Sequence, residues 1–152
     1  MNWYETNNRA KVIIKKKEQS KLIVLKKKKI VKKLKPYFKK YKFKLKRFNK
    51  KNYFLVLVDK EKILSSGWIN FGTKWEITEI NKKVNLNSYS LLFDFETPSN
   101  LRNRGNYNLL LRKIRNKFFK KRLAIYSLST NFKSCRAIEK AGFELKGKIN
   151  GL

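Results

Sequence analysis

Arg102-Asn103-Arg104-Gly105-Asn106-Tyr107 stands between two segments of different periodicity. Before it, Tyr89-Ser90-Leu91-Leu92-Phe93-Asp94-Phe95-Glu96-Thr97 reads as a strand, stopped by Pro98, which has no N–H to donate to a ladder. After it, Leu110, Leu111, Ile114 and Phe118 recur at helical spacing, with Arg112, Lys113, Arg115 and Lys117 assigned to the outward face. The first turn of a helix carries N–H groups without intrahelical acceptors and a partial positive charge. Glycine at 105 allows close approach of backbone to a ligand, and the flanking arginines can add charge-assisted bonds to phosphate oxygens. The segment reads as an anion site built of main-chain amides. Taken alone, it is better read as an ordinary strand-to-helix turn with exposed arginines.

The chain beyond it continues to alternate. Leu123 to Leu128 predicts a strand, and Thr130 or Asn131 can cap the helix that follows. That helix turns Ser134, Ala137, Ile138 and Ala141 to one side. Gly142 suits a left-handed C-cap, with Phe143 packing back on Ile138. Glu144 to Ile149 predicts a last strand.

Upstream, Tyr53-Phe54-Leu55-Val56-Leu57-Val58 is a buried-strand run, Asp59 to Lys62 a turn, and Ile63 to Phe71 a returning strand in which Gly67 marks a bulge or a close approach. Trp75 to Ile80 alternates and predicts a further strand, followed by a polar break at residues 85–88. In the first third, Lys11 to Lys15 and Lys21 to Leu25 predict a hairpin around residues 17–20. Residues 26–41 have helical spacing with lysines opposite, broken or kinked at Pro36. Residues 42–46 alternate as a strand.

At 152 residues the expectation is one domain, 1–152, with a lysine-rich N-terminal part at 1–51 and a core at 52–149. No apolar run approaches the ~20 residues of a membrane span. The N-terminus lacks the pattern of a secretory leader, so a soluble, cytoplasmic protein is expected. One cysteine excludes an internal disulfide and a cysteine-based zinc site, and the absence of histidine excludes a Ser-His-Asp triad and histidine metal sites. Cys135, without a histidine partner, reads as a small buried thiol. The net charge of +30, from 40 Lys and Arg against 10 Asp and Glu, fits an anionic partner or a codon bias toward lysine, asparagine and isoleucine.

The order of elements and the two segments together resemble the GNAT N-acetyltransferase superfamily. Its pyrophosphate loop reads Gln/Arg-x-x-Gly-x-Gly/Ala. Arg102, Gly105 and Tyr107 hold those positions, and Tyr107 departs from the usual small residue. It is similar to the Arg-Gly-Lys-Gly-Leu-Tyr version of some acyltransferases in this superfamily. The later helix of the family reads Asn-x-x-Ser/Ala, then Glu-Lys-x-Gly-Phe, matched by Asn131, Ser134, Glu139, Lys140, Gly142 and Phe143. The resemblance spans residues 53–149. It implies a mixed α/β fold with a splayed, mostly antiparallel central sheet flanked by helices, and acetyl-CoA as acyl donor without a metal. Phe95, Glu96 and Thr97 would pair with the pantetheine arm, residues 103 to 107 would hold the pyrophosphate, and Asn131 and Ser134 would face the pantetheine.

The implied chemistry is direct transfer of an acyl group to a primary amine. Asp94 and Glu96, on one face of a strand by period two, are candidate bases. Glu76 and Glu79 are further candidates. Where the family places a tyrosine that protonates the leaving thiolate, this chain has Ile138, so the acid would be Tyr126 or Tyr107, unless the thiolate leaves unassisted. The loop variant favours a small or sugar-like acceptor, whereas the net charge favours an anionic one. The alternative is a non-catalytic nucleic-acid-binding protein, with aromatic residues interleaved among lysines at residues 37–43.

Overall fold

The computed structural model describes residues 1–6, 11–15, 19–26, 44–60 and 62–150. Its strands are β1 (Asn2–Glu5), β2 (Lys21–Leu25), β3 (Asn52–Asp59), β4 (Lys62–Asn70), β5 (Lys74–Ile77), β6 (Lys82–Asn85), β7 (Tyr89–Glu96), β8 (Arg122–Ser127) and β9 (Glu144–Lys148). Two helices, α1 (Asn106–Lys117) and α2 (Phe132–Lys140), lie between β7 and β9 in sequence. Seven strands form one sheet in the order β2-β3-β4-β7-β8-β1-β9, and β5 pairs with β6 separately. All neighbours in the large sheet are antiparallel except β7 and β8.

The apolar run of β3 explains its central place. Leu55 and Leu57 face one core with Ile69, Leu92, Leu110, Leu111, Ile114 and Ile138. Phe54 and Val56 face a second core with Trp68 and Phe93. A strand buried on both sides needs apolar residues at consecutive positions, and β3 has them. The first core lies under α1 and α2, whose apolar stripes supply its other half.

Helix α2 begins and ends as its residues require. Asn131 Oδ1 accepts from Ser134 N at 3.2 Å. Gly142 takes φ 87°. Gly142 N donates to Glu139 O at 2.9 Å, and Phe143 N to Ile138 O at 3.3 Å, the paired bonds of a Schellman end.

Several expectations are corrected. Residues 11–15 form no hairpin with β2, which pairs with β3 instead. The backbone of Val12 is taken by the side chain of Asn116 on α1, which accepts from Val12 N at 2.6 Å and donates to Val12 O at 2.8 Å. Lys44–Arg47 is a 3-10 turn rather than strand. It is drawn round by Asn52 Nδ2, which donates to Arg47 O at 2.9 Å. The strand expected over residues 75–80 stops at Ile77, and a left-handed Asn81 (φ 48°) turns the chain into β6, which the sequence reading left out. Strand β1, also unforeseen, enters between β8 and β9 and buries Tyr4 completely. The helix expected over residues 26–41 and the aromatic–lysine stretch at 37–43 lie outside the described residues, apart from Lys26.

Arg115 is not on the outward face of α1. It is 8% exposed, and its Nη1 donates to Ala141 O at 2.8 Å. A guanidinium here satisfies a carbonyl that ends α2, which offsets the cost of its burial. Desolvation lowers its pKa from the usual arginine value. Arg115→Leu is expected to destabilise the protein by about 2 kcal/mol in a urea titration, because the carbonyl then loses its partner. An unchanged midpoint would show the bond to be idle.

Candidate active site

The ladder between β7 and β8 ends at Leu92 and Ile125, yet β7 runs on to Glu96 and β8 to Ser127. The two strands therefore separate, and a gap opens in the middle of the sheet. A bulge sets the direction of β7 at this point. Phe93 opposes Trp68 and Glu96 opposes Ser66, so Asp94 and Phe95 together face Gly67. Asp94 takes φ 51°. Phe93 packs in the core with Trp68, while Phe95 packs on the helix side. Simple alternation would have put those two rings on one side. Gly67 is required here because a Cβ would enter the space of the Phe95 ring.

The gap leads into a cleft of about 1370 Å³, roomy against the ~300–1,000 Å³ of ordinary ligand sites. Asp94, Phe95, Glu96, Thr97, Arg102, Asn103, Gly105, Asn106, Tyr107, Tyr126, Asn131 and Ser134 line it. Asp94 and Glu96 both reach it, through the bulge rather than by regular alternation. Arg104 is exposed and lies outside the lining.

One side of the cleft is the opening turn of α1. Gly105 occupies its N-cap at φ 77° with no side chain capping the helix. The first helical bond runs from Leu109 N to Gly105 O. The main-chain N–H groups of Asn106, Tyr107 and Asn108 meet no acceptor among the described residues. Arg102 does not flank this turn freely. Its Nε donates to Thr97 O at 3.0 Å and ties the loop to the end of β7. Lys133 Nζ lies 3.4 Å from Asn103 Oδ1, and Arg136 and Lys140 join it on the cleft wall. Lys140 was named from the sequence as part of the Glu-Lys match, whereas Lys133, inside the Asn131–Ser134 motif, and Arg136 were not singled out. The Tyr107 ring is wedged 5.3 Å from Phe95, with its hydroxyl 3.4 Å from Ser134 Oγ. Burial pushes this phenol up to about 12. Further along, Asn108 Nδ2 donates to Ala137 O at 2.9 Å, so the two helices are stitched together along their length.

The other side is acidic. Glu76, Glu79, Asp94 and Glu96 line it, four of the ten carboxylates in the chain. Asp94 Oδ2 pairs with Arg47 Nη1 at 2.7 Å. Nothing in the lysine-rich context of Arg47 signalled that contact. Tyr126 lies just past the last rung between β7 and β8. Its hydroxyl accepts from Trp75 Nε1 at 3.3 Å, and its ring stacks on Trp3 at 6.4 Å. Burial raises its pKa above the ordinary phenol value, with the Trp75 bond acting in the opposite sense. Cys135 is buried, donating to Leu128 O at 3.5 Å. Among the described residues, no three acidic or cysteine side chains are placed to hold a metal ion. No helix there is long and apolar enough to cross a membrane.

No protein-family model and no curated protein sequence matches the chain. Solved structures do. An aminoglycoside acetyltransferase from an uncultured soil metagenomic sample, in complex with trehalose, superimposes with a TM-score of 0.59 at 12% identity, over 88% of this chain and 94% of that one. The aminoglycoside N-acetyltransferase AAC(6')-Iy in complex with CoA gives 0.58 at 11% identity, over 87% and 97%. A GNAT-family acetyltransferase from Colwellia psychrerythraea gives 0.58 at 14% identity, over 95% of this chain and 53% of that one. At such identities the likeness speaks for architecture. The chain has the fold of the GNAT acetyltransferases.

Proposed function

We propose that this protein transfers an acyl group, acetyl in the simplest case, from a coenzyme A thioester to a primary amine, and that the amine is carried by a cationic molecule. The observation that carries this reading is the placement of the sheet gap. It lies between unengaged helix N–H donors on one side and four carboxylates on the other. A thioester donor bears its phosphates at one end and its reacting carbon at the other, and the cleft offers a suitable partner at each. The acyl donor supplies the activated carbonyl. The amides of Asn106 to Asn108 would hold its diphosphate, with Lys133 alongside. Main-chain groups of β7 beyond Leu92, which β8 no longer pairs, would meet the pantetheine amides.

The net charge of the chain argues for an anionic acceptor, but charges beyond about 8–10 Å are screened in physiological salt. Nearby carboxylates therefore decide what enters the acidic side. The aminoglycoside acetyltransferases found by structural comparison carry the same implication in their names. An ammonium must lose a proton before it can attack. Glu96, which lines the cleft at the end of β7, is the base in this reading, and Asp94, paired with Arg47 at 2.7 Å, stands beside it. Tyr126 lines the cleft beside the gap, its hydroxyl oxygen accepting from Trp75 Nε1, and would give its proton to the departing thiolate.

A thiol-release assay with a linear triamine, an aminoglycoside and a phosphorylated amino sugar tests this. The two polycations are expected to give kcat/KM values about tenfold or more above the anion. Glu96→Gln is expected to lower kcat by about 100-fold with acetyl-CoA affinity unchanged. No thiol release with any amine, under conditions where acetyl-CoA binds, would remove the transferase reading.

A further inference from the structure

The cleft lies where β7 ends and α1 begins. The opposite end of the sheet, marked by Asn70, Tyr89 and Arg122, carries a second feature that acyl transfer does not use. The turn after α1, Lys117-Phe118-Phe119-Lys120-Lys121-Arg122, brings rings and cations together there. Lys121 Nζ lies 5.0 Å from the centre of the Phe71 ring, and Phe71 lies 6.0 Å from Phe118 and 4.9 Å from Tyr53. Lys26 Nζ sits 5.7 Å over Tyr53. Beside them, Lys11 and Lys120 lie 4.9 and 5.8 Å over Phe119. The Arg122 guanidinium covers Tyr89 at 4.5 Å. A carboxylate that reaches this surface, Glu5, is engaged by the Tyr89 hydroxyl at 2.6 Å and by Trp3 Nε1 at 2.8 Å.

We infer that this end of the sheet, formed by the Lys117–Arg122 turn with Tyr53, Phe71 and Tyr89, is a docking surface for single-stranded nucleic acid. Cations set over half-buried rings match a strand that presents phosphates and flat bases in alternation. Phosphates engage the ammonium groups, and bases take the ring faces as the flexible lysine stems swing aside. An acidic membrane would need apolar side chains standing clear of the surface. The large apolar residues that are exposed, Ile13, Leu128, Phe132 and Leu145, include none of these rings. The acidic wall of the cleft is at the other end, so a bound polyanion avoids it and leaves the cleft open. The inference stands independently of what the cleft transfers.

The test is a fluorescence titration of the full chain with a uridine oligonucleotide of about 20 nucleotides, over a range of salt. A triple variant, Lys117→Gln, Lys120→Gln and Lys121→Gln, is compared with a control of equal charge change, Lys62→Gln, Lys83→Gln and Lys148→Gln. The first is expected to weaken binding about tenfold or more and to lower the slope of log K against log salt by about 2. The control is expected to weaken it less than about threefold. Phe119→Ala is expected to weaken binding about fivefold with the salt slope unchanged. Equal losses in the two triple variants would show that overall charge alone attracts the strand, and would overturn the inference. So would a greater loss of binding to phosphatidylserine vesicles than to the oligonucleotide in the first variant, which would make the surface a membrane contact.

Discussion

Replacing Gly105 by aspartate is expected to abolish acetyl-CoA binding while the fold survives. Gly105 sits at φ 77°, and no atom lies within 4 Å of where its Cβ would be. The substitution therefore meets a backbone penalty of about 1–2 kcal/mol and no clash. For a protein of this size that corresponds to a loss of roughly 3–8 °C in Tm. The effect on the ligand is larger. The new carboxylate stands at the N-cap of α1, where it both repels a diphosphate and competes for the same N–H donors. An increase in Kd of about 100-fold or more is expected, roughly 2.7 kcal/mol. The stabilisation seen on adding excess acetyl-CoA should disappear with it. Wild-type affinity in the variant would move the diphosphate away from this turn.

Gly67→Val is expected to be the most destabilising of the changes considered, at about 3 kcal/mol in denaturant unfolding. The side chain would intrude on the Phe95 ring, which has Tyr107 behind it at 5.3 Å. Phe95 cannot yield without disturbing the bulge that steers β7 away from β8. The same variant should therefore lose its response to acetyl-CoA. Phe95→Ala frees the space, so a double-mutant cycle between the two positions should show a favourable coupling of about 1 kcal/mol or more. Independent, additive effects would mean that the close approach does not govern the gap.

The parts of the fold legible in the sequence are those whose signals are local. The apolar run at Tyr53–Val58, the helical stripe of Leu110, Leu111 and Ile114, and the Gly142-Phe143 ending each specify their own conformation within a few residues. Gly67 announced a close approach before its partner was known. The unforeseen parts depend on distant partners. Strand β1 has four residues and acquires its place from β8 and β9 on either side. Arg115 is indistinguishable from its charged neighbours until α2 brings a carbonyl to it. The segment at residues 11–15 looks like half of a hairpin, but Asn116 offers its backbone a partner more than a hundred residues away. In the cleft, the loop and the Asn131–Ser134 motif were readable because backbone chemistry restricts their residues. The four carboxylates of the acidic wall were each named as candidate bases, but their meeting was not readable, since it joins Glu76 and Glu79 of one hairpin to Asp94 and Glu96 of the bulged strand.

The ties between the helices have an electrical consequence. Tyr107 meets Ser134 near the start of each helix, Asn108 in the same first turn reaches Ala137 midway along α2, and Arg115 meets Ala141 near the finish. The two axes thus run in the same sense, and their positive poles converge on one opening. Side by side such dipoles repel, and the guanidinium at their shared negative poles relieves the strain of that alignment. On the proposed reading, the attraction for an incoming diphosphate would then be a property of how two coils are oriented. A variant stripped of many surface lysines should retain most of it.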